Sequence, residues 1–368
     1  METLKTIPIA APQIGEEERQ AVLDVLDSGH LAQGAVVEAF EREFATWCGV
    51  EHAVAVNSGT AALHLALMAH SIGQGDEVIT SPFTFVASAN AALFVGARPV
   101  FVDIEPATYC LDPAKVEAAI TPKTRAIMPI DLYGQPAAMD DLRQIAERHR
   151  LLLIEDACQA HGATIGGRKA GALGVTATFS FYPTKNMTTA EGGMVTTPYA
   201  EVAAKVGMLR QHGATERYHH LALGFNFRMT EIAAAIGRAQ LKKLDAWNEI
   251  RRRNASFLDE GLAGVPRIRT PRERPGCRHI YHQYTVLVEG DRDAIQARLK
   301  ELGVGTAVHY AVPVHRQPLY VELGYGSVST PVAEHAANHV LSLPVHPGLT
   351  ESDLERIVGA VRKVVSAA

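Results

Sequence analysis

A chain of 368 residues, 47% hydrophobic and 20% charged, has the material for a large core and is too apolar for wholesale disorder. Its length points to two domains. Thirty-five basic against 40 acidic side chains leave a formal charge of −5, which argues against a nucleic-acid partner, because such binding needs a concentrated basic face. Cys48, Cys110, Cys158 and Cys277 form no CxxC pair and cannot make a disulfide framework for so long a chain. The N-terminus lacks the apolar run of a secretory signal. The most apolar window, Ala87 to Val102, is interrupted by Asn90 and Arg98 and falls short of the ~18 apolar residues of a membrane helix. The expectation is a cytoplasmic protein with neither membrane nor nucleic acid as partner.

Between about residues 50 and 200, short β-rich runs alternate with helical ones. His52–Val56 reads as a strand, Thr60–His70 as a helix, Glu77–Thr80 as a strand, Phe85–Val95 as a helix and Pro99–Asp103 as a strand. Asp112 and Pro113 then open a helix to Ile120, Asp as cap and Pro in the first turn. Ala126–Leu132, Leu151–Glu155, Ala177–Phe181 and Met194–Thr197 complete the strands. Runs this apolar and unalternating are buried on both faces, the mark of a mainly parallel sheet covered by helices, an α/β fold. Met229 to about Leu262 reads as one long helix. A strand at Tyr281–Glu289, a helix at Asp291–Leu302, a strand at Val304–Val308 and helices near 331–340 and 351–365 follow. The expected division is a large domain over 1–245 and a small α+β domain over 246–368, with segment 1–30 packing with the small domain.

Three segments end a strand or open a helix with polar residues, where open parallel sheets bind ligands. In Asn57-Ser58-Gly59-Thr60-Ala61-Ala62, unpaired N–H groups and a positive helix end converge as a phosphate site; an ordinary N-cap fits the same residues. The run Leu151–Gln159 brings Glu155 and Asp156 to the end of a buried strand. An Asp there must be paired with a cation or a donor, or cap the next helix. In Phe179-Ser180-Phe181-Tyr182-Pro183-Thr184-Lys185-Asn186, a lysine follows a buried strand among aromatics. Desolvation would lower its pKa toward the neutral amine that forms a Schiff base, although exposed lysines are far commoner. Taken together, a phosphate cup, an acid and a lysine on units of one sheet are the parts that pyridoxal phosphate requires.

The ordered motifs NSGTAALHLAL, GDEVITSPFTFVASANA, VFVDIEP, DLYGQPA, IEDACQAHGA, FSFYPTKNMTTAEGGMVTT, GFNFRMTEIAAAIGRAQL and VGTAVHYAVPVH resemble the DegT/DnrJ/EryC1/StrS family of pyridoxal-phosphate-dependent aminotransferases. The resemblance runs from about Ile9 to near the C-terminus. It implies the fold-type I, aspartate-aminotransferase-like architecture, a homodimer or dimer-based assembly, and amination of a nucleotide-linked keto-sugar with L-glutamate as the usual donor. It also implies roles. Lys185 would carry the cofactor as a Schiff base and act as catalytic acid and base, Asp156 would pair with the pyridine nitrogen, and Gln159 would lie near the ring's phenolic oxygen. Gly59 and Thr60 would offer N–H groups to the phosphate, and Ser180 its hydroxyl. Phe85 would stack on the ring, with Phe83 the alternative. Asn226 would reach the phosphate of the neighbouring subunit's cofactor, so that active sites are shared between subunits. His309 and His315 would approach the sugar nucleotide.

Asp131 stands where many relatives have His, a departure without an evident consequence at this level. Lys185 separates the chain from family dehydratases that have His in its place. GFNFRM with NMTTAEGGM leans toward a 4-keto-6-deoxyhexose, while GATERYHH resembles 3-aminotransferases. Amination of a cyclitol such as an inosose, the lyase-type synthesis of an aminohydroxybenzoate, and a regulatory relative without turnover are the other readings. His335 and His339 lack a third ligand at metal spacing and read as a solvated helix face, so no metal is expected. The chain has neither GxGxxG nor GxxxxGK[ST], which leaves nicotinamide or nucleotide-hydrolysis readings without support.

Overall fold

In the computed structural model, which describes residues 6–366, the apolar runs of the first half assemble into a seven-stranded sheet. Its strands are β1 (His52–Val56), β2 (Glu77–Thr80), β3 (Arg98–Phe101), β4 (Thr124–Met128), β5 (Leu152–Asp156), β6 (Thr176–Ser180) and β7 (Gly193–Thr197). They lie in the order β1-β7-β6-β5-β4-β2-β3. β7 is antiparallel to both neighbours, and the remaining pairs are parallel. Parallel neighbours need a crossover, usually helical; residues 181–192 between β6 and β7 contain no helix, so the chain must double back. Lys185 lies in that return loop. Adjacent residues Ala126 and Ile127 point to opposite faces, and both have no exposed surface, as expected of a sheet covered on both sides.

Helices α1 (Glu16–Ser28) and α2 (Ala35–Cys48) precede the sheet. α3 (Gly59–Ala69), α4 (Ala87–Phe94), α5 (Pro113–Val116), α6 (Met139–His149) and α7 (Ala200–Leu209) lie between or after its strands. Asp112 caps α5, its carboxylate accepting from the Ala114 N–H at 3.0 Å. That helix is shorter than its sequence suggests, tightening into a 3-10 turn over Glu117–Ala119. α2 carries no cap of its own. Its first N–H groups, on Gly34, Val36 and Val37, donate instead to Glu231 at 2.8–2.9 Å, a buried acid almost two hundred residues away.

The long helix expected from Met229 is two helices, α8 (Glu231–Leu241) and α9 (Leu244–Leu262). They break at Lys243, whose ammonium bonds Glu17 at 2.6 Å and Glu18 at 2.9 Å on α1. Beyond α9, β8 (Ile268–Arg269), β9 (Tyr284–Val288) and β10 (Val340–Leu343) form an antiparallel sheet in the order β8-β9-β10. α9, α10 (Arg292–Glu301) and α12 (Glu351–Ser366) share a second core with it, through Leu258, Ile295 and Ile357. Between them, α11 (Pro331–His339) packs its Ala333, Ala336 and Ala337 into the core of the large sheet, with Ile79, Ile127 and Leu142. No strand forms at Val304–Val308, where Val304 and Ala307 make isolated bridges to Ile7 and Ser342. Segment 1–30 is divided. Ile7 joins the second core, while α1 is bound to α8 by Glu18, which accepts from Gln240 at 2.8 Å; residues 1–5 lie outside the described residues.

A separate core under α2 reaches the site through aromatics. Phe179 and Phe181 point inward beside Phe44, with ring centroids 5.0 and 5.6 Å away, so the period of two turns Ser180 between them to the other side. Gly171 permits this packing. Its φ is +97°, and a Cβ there would sit 2.5 Å from Cys48 Sγ and 2.6 Å from Phe179 Cζ. Gly171→Ala should therefore lose about 3 kcal/mol through strain and overpacking, read as a lower urea midpoint with unchanged slope.

Candidate active site

The polar residues gather at the C-terminal edge of the parallel strands, where β1, β5 and β6 end. Ser58 caps α3, its hydroxyl accepting from the Ala61 N–H at 3.1 Å, so the N-cap reading of this segment holds. The same turn is also an anion cradle. A Cβ on Gly59 would lie 2.6 Å from Ser180 Cβ, and one on Gly193 would lie 2.4 Å from the Ser58 carbonyl oxygen. These two glycines let the end of β6 press against the start of α3. The Ser180 hydroxyl is thereby brought beside the free N–H groups and the positive end of an 11-residue helix, an arrangement that favours phosphate.

Asp156, the last residue of β5, is 3% exposed. Its carboxylate accepts from Ser88 Oγ at 2.7 Å and from the Cys158 N–H at 3.2 Å. Gln159 is oriented at both ends: its Oε1 accepts from the Tyr133 N–H at 2.9 Å, and its Nε2 donates to the Tyr310 hydroxyl at 3.0 Å. Lys185 is half-buried, its N–H donating to the Tyr182 carbonyl at 2.9 Å. Burial holds its ammonium below the usual lysine range, opposed by Cys158 and Asp156, which face it. The field of Lys185 also reaches three histidines. Burial, reinforced by that field, pushes His161 down to about 3 and His309 to about 4, and His282 well below its ordinary value. The three rings are neutral at physiological pH.

The remaining expected site residues divide by exposure. Phe85 is 57% exposed, with its ring 6.4 Å from that of Tyr310. Phe83 has no exposed surface and packs against Tyr109 at 6.1 Å. A groove of about 520 Å³ runs past Thr84, Phe85, Asn90, Tyr310, Val312 and Tyr320. His309 is half-buried and bonds Ser342 Oγ at 3.0 Å through Nδ1. His315 has no accessible surface. Its Nε2 is 3.0 Å from Glu334 Oε1 and its ring packs against Phe101, so it stands behind the site's surface within this chain. Asn226 is exposed, and its carbonyl accepts from Asn57 Nδ2 at 3.4 Å, one residue before Ser58.

Several participants went unread in the sequence: Ser88, Tyr133, Tyr310, Asn186, His161 and His282. Asn186 adjoins the lysine, bonds His282 Nδ1 at 3.2 Å and donates to Asn248 at 2.7 Å. Its position beside Lys185 was the available signal. The histidines come from distant segments and carry no local pattern.

A buried carboxylate held by neutral donors, an amine readied to lose its proton and a glycine-made phosphate cradle fit pyridoxal phosphate group by group. On this fold they define a pyridoxal-phosphate-dependent aminotransferase of fold-type I. The chain belongs to the DegT/DnrJ/EryC1/StrS aminotransferase family, whose model matches residues 12–362. It is 44% identical to GDP-perosamine synthase of Caulobacter vibrioides over 99% of this chain and 100% of that one. It is also 44% identical to dTDP-3-amino-3,4,6-trideoxy-alpha-D-glucose transaminase of Streptomyces venezuelae, over 96% and 93%. A pleiotropic regulatory protein of Geobacillus stearothermophilus is 43% identical over 94% of each chain. Among solved structures, S. venezuelae DesV in complex with a ketimine intermediate is 45% identical, with a TM-score of 0.92 over 95% of this chain and 94% of that one. Gly59→Ala should close the cradle and weaken pyridoxal phosphate binding about tenfold or more, measured by fluorescence titration of the apoprotein.

Proposed function

We propose that the enzyme aminates a nucleotide-linked keto-sugar, an NDP-4-keto-6-deoxyhexose, with L-glutamate as amino donor. The observation that carries this reading is that Lys185 faces Asp156 at the strand ends that form the Gly59–Ser180 cradle, while Tyr310, bonded to Gln159, lines a groove of about 520 Å³, large enough for a sugar carrying a charged extension. Pyridoxal phosphate, when bound, supplies an electron sink that acidifies the carbon bearing the transferred nitrogen. The protein's part is positioning and proton handling. Gly59, Thr60 and Ser180 hold the phosphate, Asp156 keeps the ring nitrogen protonated, Gln159 bonds the phenolic oxygen, and Phe85 covers one ring face. The desolvated amine of Lys185 takes the proton from the donor's carbon and returns it on the other side of the transfer, the work of a general base near its own pKa.

The cytoplasmic protein works as a homodimer in this proposal, with the partner subunit's Asn226 reaching the phosphate. Its cofactor lobe spans 1–245 and its small lobe 246–368. Of the substrate contacts, His309 lies within the field of the Lys185 amine. His315 contributes only if the dimer or the sugar nucleotide moves Glu334 away. Amination at C3 is the second reading, favoured by the S. venezuelae transaminase named for a 3-amino sugar. A non-catalytic regulator, the reading suggested by the name of the G. stearothermophilus relative, has no need of a lysine whose ammonium is destabilised by burial.

Lys185→Ala should lose the borohydride-fixed adduct at position 185 by mass spectrometry and reduce turnover by about 10³-fold or more. Retained turnover would overturn the assignment. A panel of 4-keto and 3-keto nucleotide sugars and an inosose then distinguishes the substrates. A spectrally silent mixture with glutamate would favour the regulator.

A further inference from the structure

Behind Asp156 lies a second acidic feature that the transamination does not use. The bridge of Ile130 with Asp156 sets the register between the exit of β4 and the end of β5. Alternation then places Asp131 and Glu155 on one common face, opposite to that of Asp156. Both side chains are completely buried, at 0% exposure. Glu155 accepts from three backbone donors, the N–H groups of Gly171 at 2.8 Å, Leu173 at 3.2 Å and Gly174 at 3.3 Å. Asp131 Oδ1 accepts from the Ala137 N–H at 2.8 Å, while Oδ2 is buried with no donor facing it and lies against Glu155. No cation is bonded to either acid among the described residues. A carboxyl oxygen closed off from solvent, with no protein donor and facing another carboxylate, is stable only if it bears the proton itself.

We propose that Asp131 is protonated in the folded protein and its O–H donates a hydrogen bond to Glu155, so that the two acids share one negative charge and act as a positioning pair for the strand end that carries Asp156. The connections are direct: the Asp131 N–H donates to the Asp156 carbonyl at 3.0 Å, and the Asp156 N–H to the Pro129 carbonyl at 3.0 Å. Loop 171–174, which holds Glu155, also contains the tightly packed Gly171. Burial, followed by the charge of Glu155, raises Asp131 well above the carboxylate range. Burial raises Glu155 as well, opposed by Asp131 and the three N–H groups. The other groups facing the pair are Asp156 on β5, Cys110 before α5, Cys277 beyond β8 and Cys48 on α2. Burial pushes the Cys110 thiol up to about 12 and that of Cys277 to about 11, so both stay neutral. Arg274, which faces these two thiols, is bonded to Glu105.

The sign of the pH dependence follows. An acid whose folded value is raised favours the folded state at low pH, and that advantage is lost as pH rises from the unfolded value of about 3.9 through the folded one. Asp131→Asn keeps both hydrogen bonds, its amide donating to Glu155, but has no proton to lose. Urea unfolding of the two holoproteins at saturating cofactor should show the wild-type unfolding constant rising relative to the variant. The expected rise approaches tenfold per pH unit above pH 4 until the folded value is passed; parallel curves would overturn the proposal. Infrared spectra of wild-type protein grown with side-chain carboxyl ¹³C-aspartate provide a readout that does not depend on the variant folding. A protonated-carboxyl stretch at pH 7 that shifts with the label is expected. Its absence, or a band insensitive to the label, would show that Asp131 is not the proton carrier.

Discussion

The site depends on placing one carboxylate, Asp156, at 3% exposure at the end of a strand. An isolated buried charge of this kind costs several kcal/mol. Here it is offset by a hydroxyl, a backbone N–H and the amine of Lys185. The dryness that makes the carboxylate demanding also makes the lysine unwilling to stay protonated, while Asp156 pulls the other way. In the proposed complex a cationic ring nitrogen takes over as the partner of Asp156. The pull on Lys185 then weakens, and the amine is free to serve as a base. In that proposal one electrostatic arrangement serves both cofactor binding and proton transfer.

Backbone shape puts the other half of the site in place. Phe179 and Phe181 are drawn into the aromatic cluster under α2, and alternation along β6 leaves Ser180 facing the start of α3. Side chains at positions 59 and 193 would force these elements apart. The cradle is therefore a property of the sheet's packing, and in the proposed complex the phosphate would meet donors already fixed in position. Because residues 181–192 return without a helix, Lys185 is held near the strand ends. A crossover helix would have carried it away over the face of the sheet.

Much of this was legible in the chain. The strand runs of the large sheet, α3 to α5 in outline, and the Gly59–Lys185 series all express local patterns: period, capping residues and uninterrupted apolar stretches. What escaped reading depends on distant partners. α2 begins where Glu231 supplies its cap. The expected single helix after Met229 breaks at Lys243, whose ammonium is held by the distant Glu17 and Glu18. Val304 and Ala307 found only isolated partners. His161 and His282 join the site through tertiary packing, and nothing beside them in the sequence marks them. His315 shows the opposite case: a residue in a suggestive motif whose side chain is spent on Glu334.

The histidines and Asp156 meet in the field around the amine. Asp131, Glu155 and Asp156 crowd the ends of two neighbouring strands, and His161, His282 and His309 surround the lysine from the other sides. Three imidazolium ions would compete with Lys185 for Asp156. Burial suppresses that outcome. It keeps the rings neutral, and in the proposed pair it leaves Asp131 and Glu155 with a single charge on the face away from the site. Asp156 is then the acid that Lys185 chiefly feels, and the balance between them can be tipped by what binds at Asp156.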